Sequence, residues 1–283
     1  MGDLPPVIRL VIFDLDGVIY RGDRAIEGAA ELVADLKSAG VGVRFATNNS
    51  TVDRAAYVAR LGRLGITATR DEVVTSTSAT IQHLARHAAD VRRVLAVGGR
   101  GIADELSAAG YEAVAAADAV GEGYDGGSLD RRYDAVVVGL DTAFDYRRLA
   151  AAIGAILAGA RFIATNADHL YPTADGFLPG AGTMVAAVAA GTGIEPEVIG
   201  KPQPAMFLSA LEASGVAPEE AVVVGDNPDA DVVAAHRAGI RSILVLTGVA
   251  DARLAGTLTG ERRPDAVAAG PAEVRRLLLG SLS

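Results

Sequence analysis

The sequence predicts an α/β fold, a parallel sheet with helices against both faces, and three observations predict it. Short runs rich in Val, Ile and Leu alternate with Ala-rich amphipathic segments along the chain. Several of the amphipathic segments close on Gly, as helix C-termini do. The first run, Val7 to Phe13, is almost continuously apolar with Arg9 its only charge, which suits a strand covered on both sides.

The elements follow in order. "VIRLVIF" is the first strand, "AAELVADLKSAG" the helix after it, and "VGVRFATN" the second strand. "TSTSAT" lacks the G-x-S-x-G elbow of a nucleophilic serine and is expected to cap a helix. His83 and His87 stand at i,i+4, but with no third ligand in view they are read as a solvated helix face. "VRRVLAV", "YDAVVVGL" and "ARFIAT" are strands of the middle region, and "AAAIGAILAGA" is a helix among them. "GGRG" at 98 to 101 lacks the spacing of a dinucleotide loop and is read as a tight strand–helix turn. "AVGEGYDGGSLD" reads as a surface loop, and "AVVVGD" and "RSILVLTG" complete the strands. No internal repeat indicates a solenoid.

A chain of 283 residues would make an unusually large single domain, and two cores account for it better. The middle region carries its own strand–helix alternation. A second, smaller α/β module inserted between two halves of the first is therefore expected, with 1–81 and 183–283 forming the split module and 82–182 the insert. Half the residues are hydrophobic and the formal net charge is −9, without a long basic tract. Nucleic acid and anionic membrane are excluded as expected partners. The absence of cysteine excludes disulfides, thiolate nucleophiles and Cys-bound zinc. The N-terminus does not read as a secretory signal, and no apolar stretch reaches the ~18–20 residues of a membrane span. A soluble cytoplasmic protein is the expected class.

The chemistry is concentrated at the ends of strands. "LVIFDLDGVIY" places Asp14 and Asp16 at the end of a buried run, where residues i and i+2 of an extended chain share a side. Two carboxylates so placed repel each other, so a metal or a proton is expected between them. "VRFATNNST" puts Thr47 and Asn48 after a strand, and "AVVVGDNPDAD" puts Asp226 after another, with Asp229 and Asp231 following. "VIGKPQPAMF" puts Lys201 before a helix. Open α/β sheets bind ligands beyond the carboxyl ends of their strands, so these groups are expected to converge. Carboxylates suit a hard cation such as Mg²⁺; the Thr, Asn and Lys suit an anion that accompanies it. Phosphoryl transfer needs this set, because donors must stabilise charge spread over equatorial oxygens.

"DLDGVIY", "TNN", "GKP" and "GDNPDAD" resemble the four ordered motifs of the haloacid dehalogenase-like phosphohydrolases. "TNADHLYPTADGFLPGAGTM" is similar to the cap-to-core segment of the subfamily containing the N-acetylglucosamine-operon phosphatase, the p-nitrophenylphosphatases and the phosphoglycolate phosphatases. The resemblance implies a Rossmann-like core with an inserted α/β cap and a Mg²⁺-dependent phosphatase of small phosphomonoesters. It implies that Asp14 is the nucleophile and that Asp16 is the acid and base, its backbone carbonyl also touching Mg²⁺. Thr47 and Asn48 would hold the phosphate and Lys201 would neutralise charge. Asp226 would ligate Mg²⁺, while Asn227 and Asp231 brace the site from behind. Asp168, His169 and Tyr171, in the polar loop of the cap, are candidates for contact with the substrate. Members of the subfamily often pair through their caps, which makes a homodimer an expectation of the resemblance alone. A haloacid dehalogenase would have no need of Asp16 or of a metal, and a receiver-like signalling module would have no need of a cap.

Overall fold

The computed structural model describes residues 4–5, 7–120, 132–173 and 176–280. The Gly/Asp-rich patch expected as a surface loop lies almost wholly outside them. The chain divides into two compact units. One comprises Met1–Thr47, Arg54–Val74 and Lys201–Ser283, and the other Asn48–Asp53 and Thr75–Gly200. The boundaries drawn at 82 and 182 fall inside the helices Ser76–His87 and Ala181–Thr192. Both helices belong whole to the second unit.

The first unit is built on a six-stranded sheet ordered Ala266–Ala268, Arg241–Val245, Ala221–Gly225, Leu10–Asp14, Gly42–Thr47, Val73–Thr75. The first four pairings in that order are parallel. The first strand starts at Leu10 rather than Val7, because its partners Ala221 and Gly42 begin there. Val7 is correspondingly exposed. Val11, Phe13, Val43, Phe45, Val222 and Val224 form one apolar cluster with Leu32, Val33 and Leu36 of the helix Ala29–Ser38. Leu10 and Ile12 alternate to the opposite face and are equally buried. The helix Ala205–Ser214 packs against this strand and its neighbour.

From Leu10–Asp14 the chain runs outward to Gly42–Thr47 on one side, and the returning strand Ala221–Gly225 lies on the other. The strand order reverses there, at the carboxyl ends of Leu10–Asp14 and Ala221–Gly225. This is where doubly wound sheets leave a crevice for ligands.

The second unit carries a five-stranded parallel sheet ordered Glu197–Val198, Arg161–Ala164, Ala135–Val138, Arg93–Val97, Glu112–Ala115. Leu95, Val97, Val136, Val138, Phe162 and Ile156 fill its core. Gly98 and Gly99 turn this sheet's strand Arg93–Val97 into the helix Arg100–Ala108. A Cβ at Gly99 would lie 2.6 Å from the Thr51 carbonyl, and one at Gly101 2.7 Å from that of Val52. The turn is packed against the unit's own segment Asn48–Asp53. Thr75 caps the helix Ser76–His87, as expected of "TSTSAT", by accepting from the Ser78 amide at 3.0 Å. His83 departs from expectation: its Nε2 lies 3.0 Å from Glu197 Oε1, and its ring lies 4.9 Å from that of His87. The carboxylate comes from a strand remote in sequence, and His83 is partly buried beside it while His87 stays exposed.

Among the described residues no helix is long and apolar enough to cross a membrane.

Candidate active site

Asp14 ends its strand with Ala46 directly opposite, so Thr47 follows one residue beyond that level on the neighbouring strand. Phe13 pairs with Val224, which puts Gly225 level with Asp14 and Asp226 one residue further. Sheet register therefore brings Asp14, Thr47 and Asp226 to one edge, and all three are buried. Carboxylate oxygens of Asp14, Asp226 and Asp231 lie within 4.8 Å of one another.

Lys201 is 3% exposed. Its ammonium donates to Asp14 Oδ1 and, at 2.7 Å, to Asp231 Oδ1. Burial works to lower its pKa, but the two carboxylates outweigh it and hold the lysine above its ordinary range. Asp231 Oδ2 accepts the backbone amides of Asp226 at 3.2 Å and Asn227 at 3.1 Å. Both oxygens of Asp231 are thus committed to holding the protein together. The Asn227 side chain turns outward to cap the next turn, accepting from the Asp229 amide at 3.0 Å, so Asn227 supports Asp231 through its backbone.

Asp226 is fixed by a loop that sequence reasoning missed. Its Oδ2 accepts the Val249 amide at 2.6 Å, and its carbonyl accepts the Ala250 amide at 3.0 Å. A Cβ at Gly248 would stand 1.7 Å from that Oδ2, and one at Gly17 2.3 Å from it. Gly17 also has φ +79°, which side-chain-bearing residues resist. The Thr247 hydroxyl donates to the Gly17 carbonyl at 2.6 Å, and Arg21 donates to the Thr247 carbonyl at 2.5 Å. "LTG" follows the strand Arg241–Val245, at the same sheet edge as the carboxylates. It carries no ionisable group, so nothing in the sequence marks it as part of the site.

Asp16 is placed differently from the expectation. The strand stops at Asp14, and the Leu15 carbonyl accepts the amides of Ile19 at 2.9 Å and Tyr20 at 3.2 Å. Asp16 is therefore presented by a tight turn rather than by the pleat of a strand, and its carboxylate is not part of the clustered three. Burial raises its pKa, while the charges of Arg60 and Lys201 pull it down. Arg60 lies with its guanidinium 3.9 Å from the centre of the Tyr20 ring and donates to the Gly22 carbonyl.

The other expected residues belong to the second unit. Asn48 Nδ2 donates to Asp168 Oδ2 at 3.0 Å. His169 is exposed, and its carbonyl accepts the Gly180 amide at 2.9 Å. Tyr171 pairs with Leu178 in the hairpin Leu170–Thr173 and Gly176–Pro179; its side chain lies outside the described residues.

Three buried carboxylates against one ammonium leave two negative charges when all are ionised. Burial pushes the Asp14 carboxyl well above the carboxylate range, with Lys201 opposing and Asp231 and Asp226 assisting. Burial, with Asp231 beside it, raises Asp226 to about 7. With one oxygen of Asp14 and one of Asp226 already hydrogen-bonded, each keeps a second for a ligand. Such a set fits a hard divalent cation.

A linkage prediction follows from the raised carboxyls. Folding raises their pKa, so the cation-free protein binds more protons folded than unfolded. Its stability then falls as pH rises from the ordinary Asp value near ~4 through about 7. A hard divalent cation reverses the penalty. The rise in Tm on adding it should be larger near about pH 8 than near about pH 5, read by thermal unfolding at both. Equal shifts would contradict the charge assignment.

Known hydrolases and phosphatases are similar to this chain over most of its length. A family profile described as haloacid dehalogenase-like hydrolase matches residues 11–112, and a HAD-hydrolase-like profile matches 198–274. An acid sugar phosphatase of Staphylococcus saprophyticus is 36% identical over 241 residues, covering 85% of this chain and 87% of that protein. A D-glycerol 3-phosphate phosphatase of Mycobacterium tuberculosis is 38% identical over 254 residues, 90% of this chain and 67% of that one. The crystal structure of a glycerol phosphate phosphatase from M. tuberculosis in complex with magnesium superposes with a TM-score of 0.84 at 34% identity. It covers 96% of this chain and 78% of that one.

Proposed function

The chain belongs to the haloacid dehalogenase-like hydrolases, and from that premise we propose that it hydrolyses small organic phosphomonoesters through a phosphoryl group carried on Asp14. One observation carries the assignment to these residues: the buried Lys201 ammonium between Asp14 and Asp231, with the Asp226 carboxylate alongside.

In the first step an Asp14 oxygen attacks phosphorus, and the bond from phosphorus to the ester oxygen breaks. The leaving oxygen takes a proton from Asp16, the acid and base that the family resemblance implies, whose burial raises its pKa. In the second step Asp16, now ionised, accepts a proton from water. The water oxygen attacks the same phosphorus, releasing phosphate and restoring Asp14. Lys201 keeps a positive charge beside Asp14 in both steps. Asp231 holds that ammonium in place. Thr47 and Asn48 are read as the groups that hold the phosphate oxygens.

Mg²⁺ is the cation this set suits, and the magnesium complex of the glycerol phosphate phosphatase supports the choice. When bound it neutralises phosphate charge and orients the phosphate oxygens. Asp14 and Asp226 would hold it by their side chains and Asp16 by its backbone carbonyl.

The substrate reading takes in phosphoglycolate, glycerol 3-phosphate, nucleoside monophosphates and sugar phosphates, and the names of relatives bear on the last three. His169 and Tyr171 are assigned to the leaving group. The acidic composition supports leaving nucleic acid and membranes out as partners.

Asp14→Asn should keep the fold and lose kcat by about 10³-fold or more, since an amide is a poor nucleophile. Chelation should abolish activity, Mg²⁺ should restore it, and Ca²⁺ should inhibit through its looser shell. Full turnover in excess chelator would refute the metal assignment. Substrate choice has its own test. Lys201→Ala should depress kcat/KM for every phosphomonoester by roughly 10²–10³-fold, because it removes a charge common to all of them. Tyr171→Ala should instead reorder the preference among leaving groups of different size. A uniform loss in Tyr171→Ala would place that residue in the scaffold.

A further inference from the structure

Asn48 is held at both its backbone and its side chain by residues of its own unit. Its carbonyl accepts the Ser76 hydroxyl and the Asn166 side-chain amide, each at 2.8 Å. Its Nδ2 donates to Asp168 Oδ2 at 3.0 Å. A Cβ at Gly200 would lie 2.6 Å from Asn48 Oδ1, so Gly200 is the neighbour that lets that end of the amide fit. Asp168 is itself anchored. Its amide donates to Asn166 Oδ1 at 3.1 Å, and its carbonyl accepts the Gly182 amide at 2.9 Å. Further, a Cβ at Gly180 would stand 2.1 Å from that carbonyl. Asn166 thus serves both partners, one through its Nδ2 and the other through its Oδ1.

The chemistry of this arrangement is directional. A terminal amide presents a donor at one end and an acceptor at the other, and rotation by half a turn exchanges them. An ionised carboxylate only accepts, so it admits the NH₂ end of Asn48 and rejects the oxygen. Charged acceptors also make the stronger hydrogen bonds. A ligand that meets Asn48 then always meets the same end of it.

We propose that Asp168 is a positioning residue that acts through Asn48, setting the orientation of its amide, rather than a residue that touches the leaving group. The inference rests on the reading of Asn48 as a holder of the phosphate, and it reassigns Asp168 from the substrate contacts expected from sequence. Asn48 would meet the group common to all substrates. Loss of Asp168 should therefore be felt by every phosphomonoester alike.

The test is a double-mutant cycle of Asn48→Ala and Asp168→Ala in the Mg²⁺-loaded enzyme, with Asp168→Asn as the conservative variant. The substrates are p-nitrophenyl phosphate, glycerol 3-phosphate and a hexose phosphate. Asp168→Ala should raise KM roughly tenfold, by the same factor on all three, with a smaller effect on kcat. Asp168→Asn should recover part of the loss, because its carbonyl still accepts but no longer enforces one orientation. In the Asn48→Ala background, Asp168→Ala should cost less than about twofold more. Additive effects, or losses that differ among the three substrates, would overturn the inference while leaving Asn48 as a phosphate holder. An unchanged KM in Asn48→Ala would overturn the reading of Asn48 and this inference with it.

Discussion

The Lys201 ammonium between Asp14 and Asp231 is the interaction on which the rest of the site depends. Removing a lysine from water costs several kcal/mol, and so does removing each carboxylate. Only together, with the backbone amides of Asp226 and Asn227 on Asp231, are these groups affordable in the interior. The arrangement is asymmetric. Asp231 has both oxygens hydrogen-bonded within the protein, whereas Lys201 takes Oδ1 of Asp14 and the Val249 amide takes Oδ2 of Asp226. The surplus of negative charge favours a divalent cation, and the cation's arrival favours a dianionic ester beside it.

Sheet topology explains why these side chains meet at all. Asp14 and Asp226 come from strands more than two hundred residues apart, yet they adjoin at the point where strand order reverses. The glycines make the approach possible. Gly17 and Gly248 allow the turn after the first strand and the loop after Arg241–Val245 to close on the Asp226 carboxylate. Val249 then fixes one oxygen.

What was legible in the sequence follows the range of each interaction. Strand ends bearing Asp14, Thr47 and Asp226 could be read because an apolar run and the polar residue that ends it are neighbours in sequence. The α/β class and the inserted module were legible for the same reason. The unit boundaries were not, since the helices Ser76–His87 and Ala181–Thr192 have the same local pattern whichever sheet they serve. In sequence the turn that carries Asp16 reads as extended chain, because nothing before Gly17 marks where the strand stops. Loop Thr247–Val249 and the contact of His83 with Glu197 were invisible because each depends on a partner remote in sequence. Asp168 is legible in sequence as a polar residue of the cap loop and a candidate for contact with substrate, but its hydrogen bond with Asn48, 120 residues away, is visible only in three dimensions.

The central claim is that Asp14 carries the phosphoryl group during turnover. It is tested most directly by quenching the Mg²⁺-loaded enzyme in acid within the first turnovers, then weighing and sequencing its peptides by mass spectrometry. The account predicts the mass of one phosphoryl group on the peptide containing Asp14, localised to that residue and absent from Asp14→Asn. A phosphoryl group on another residue, or hydrolysis with inversion at phosphorus and no labelled peptide, would contradict it.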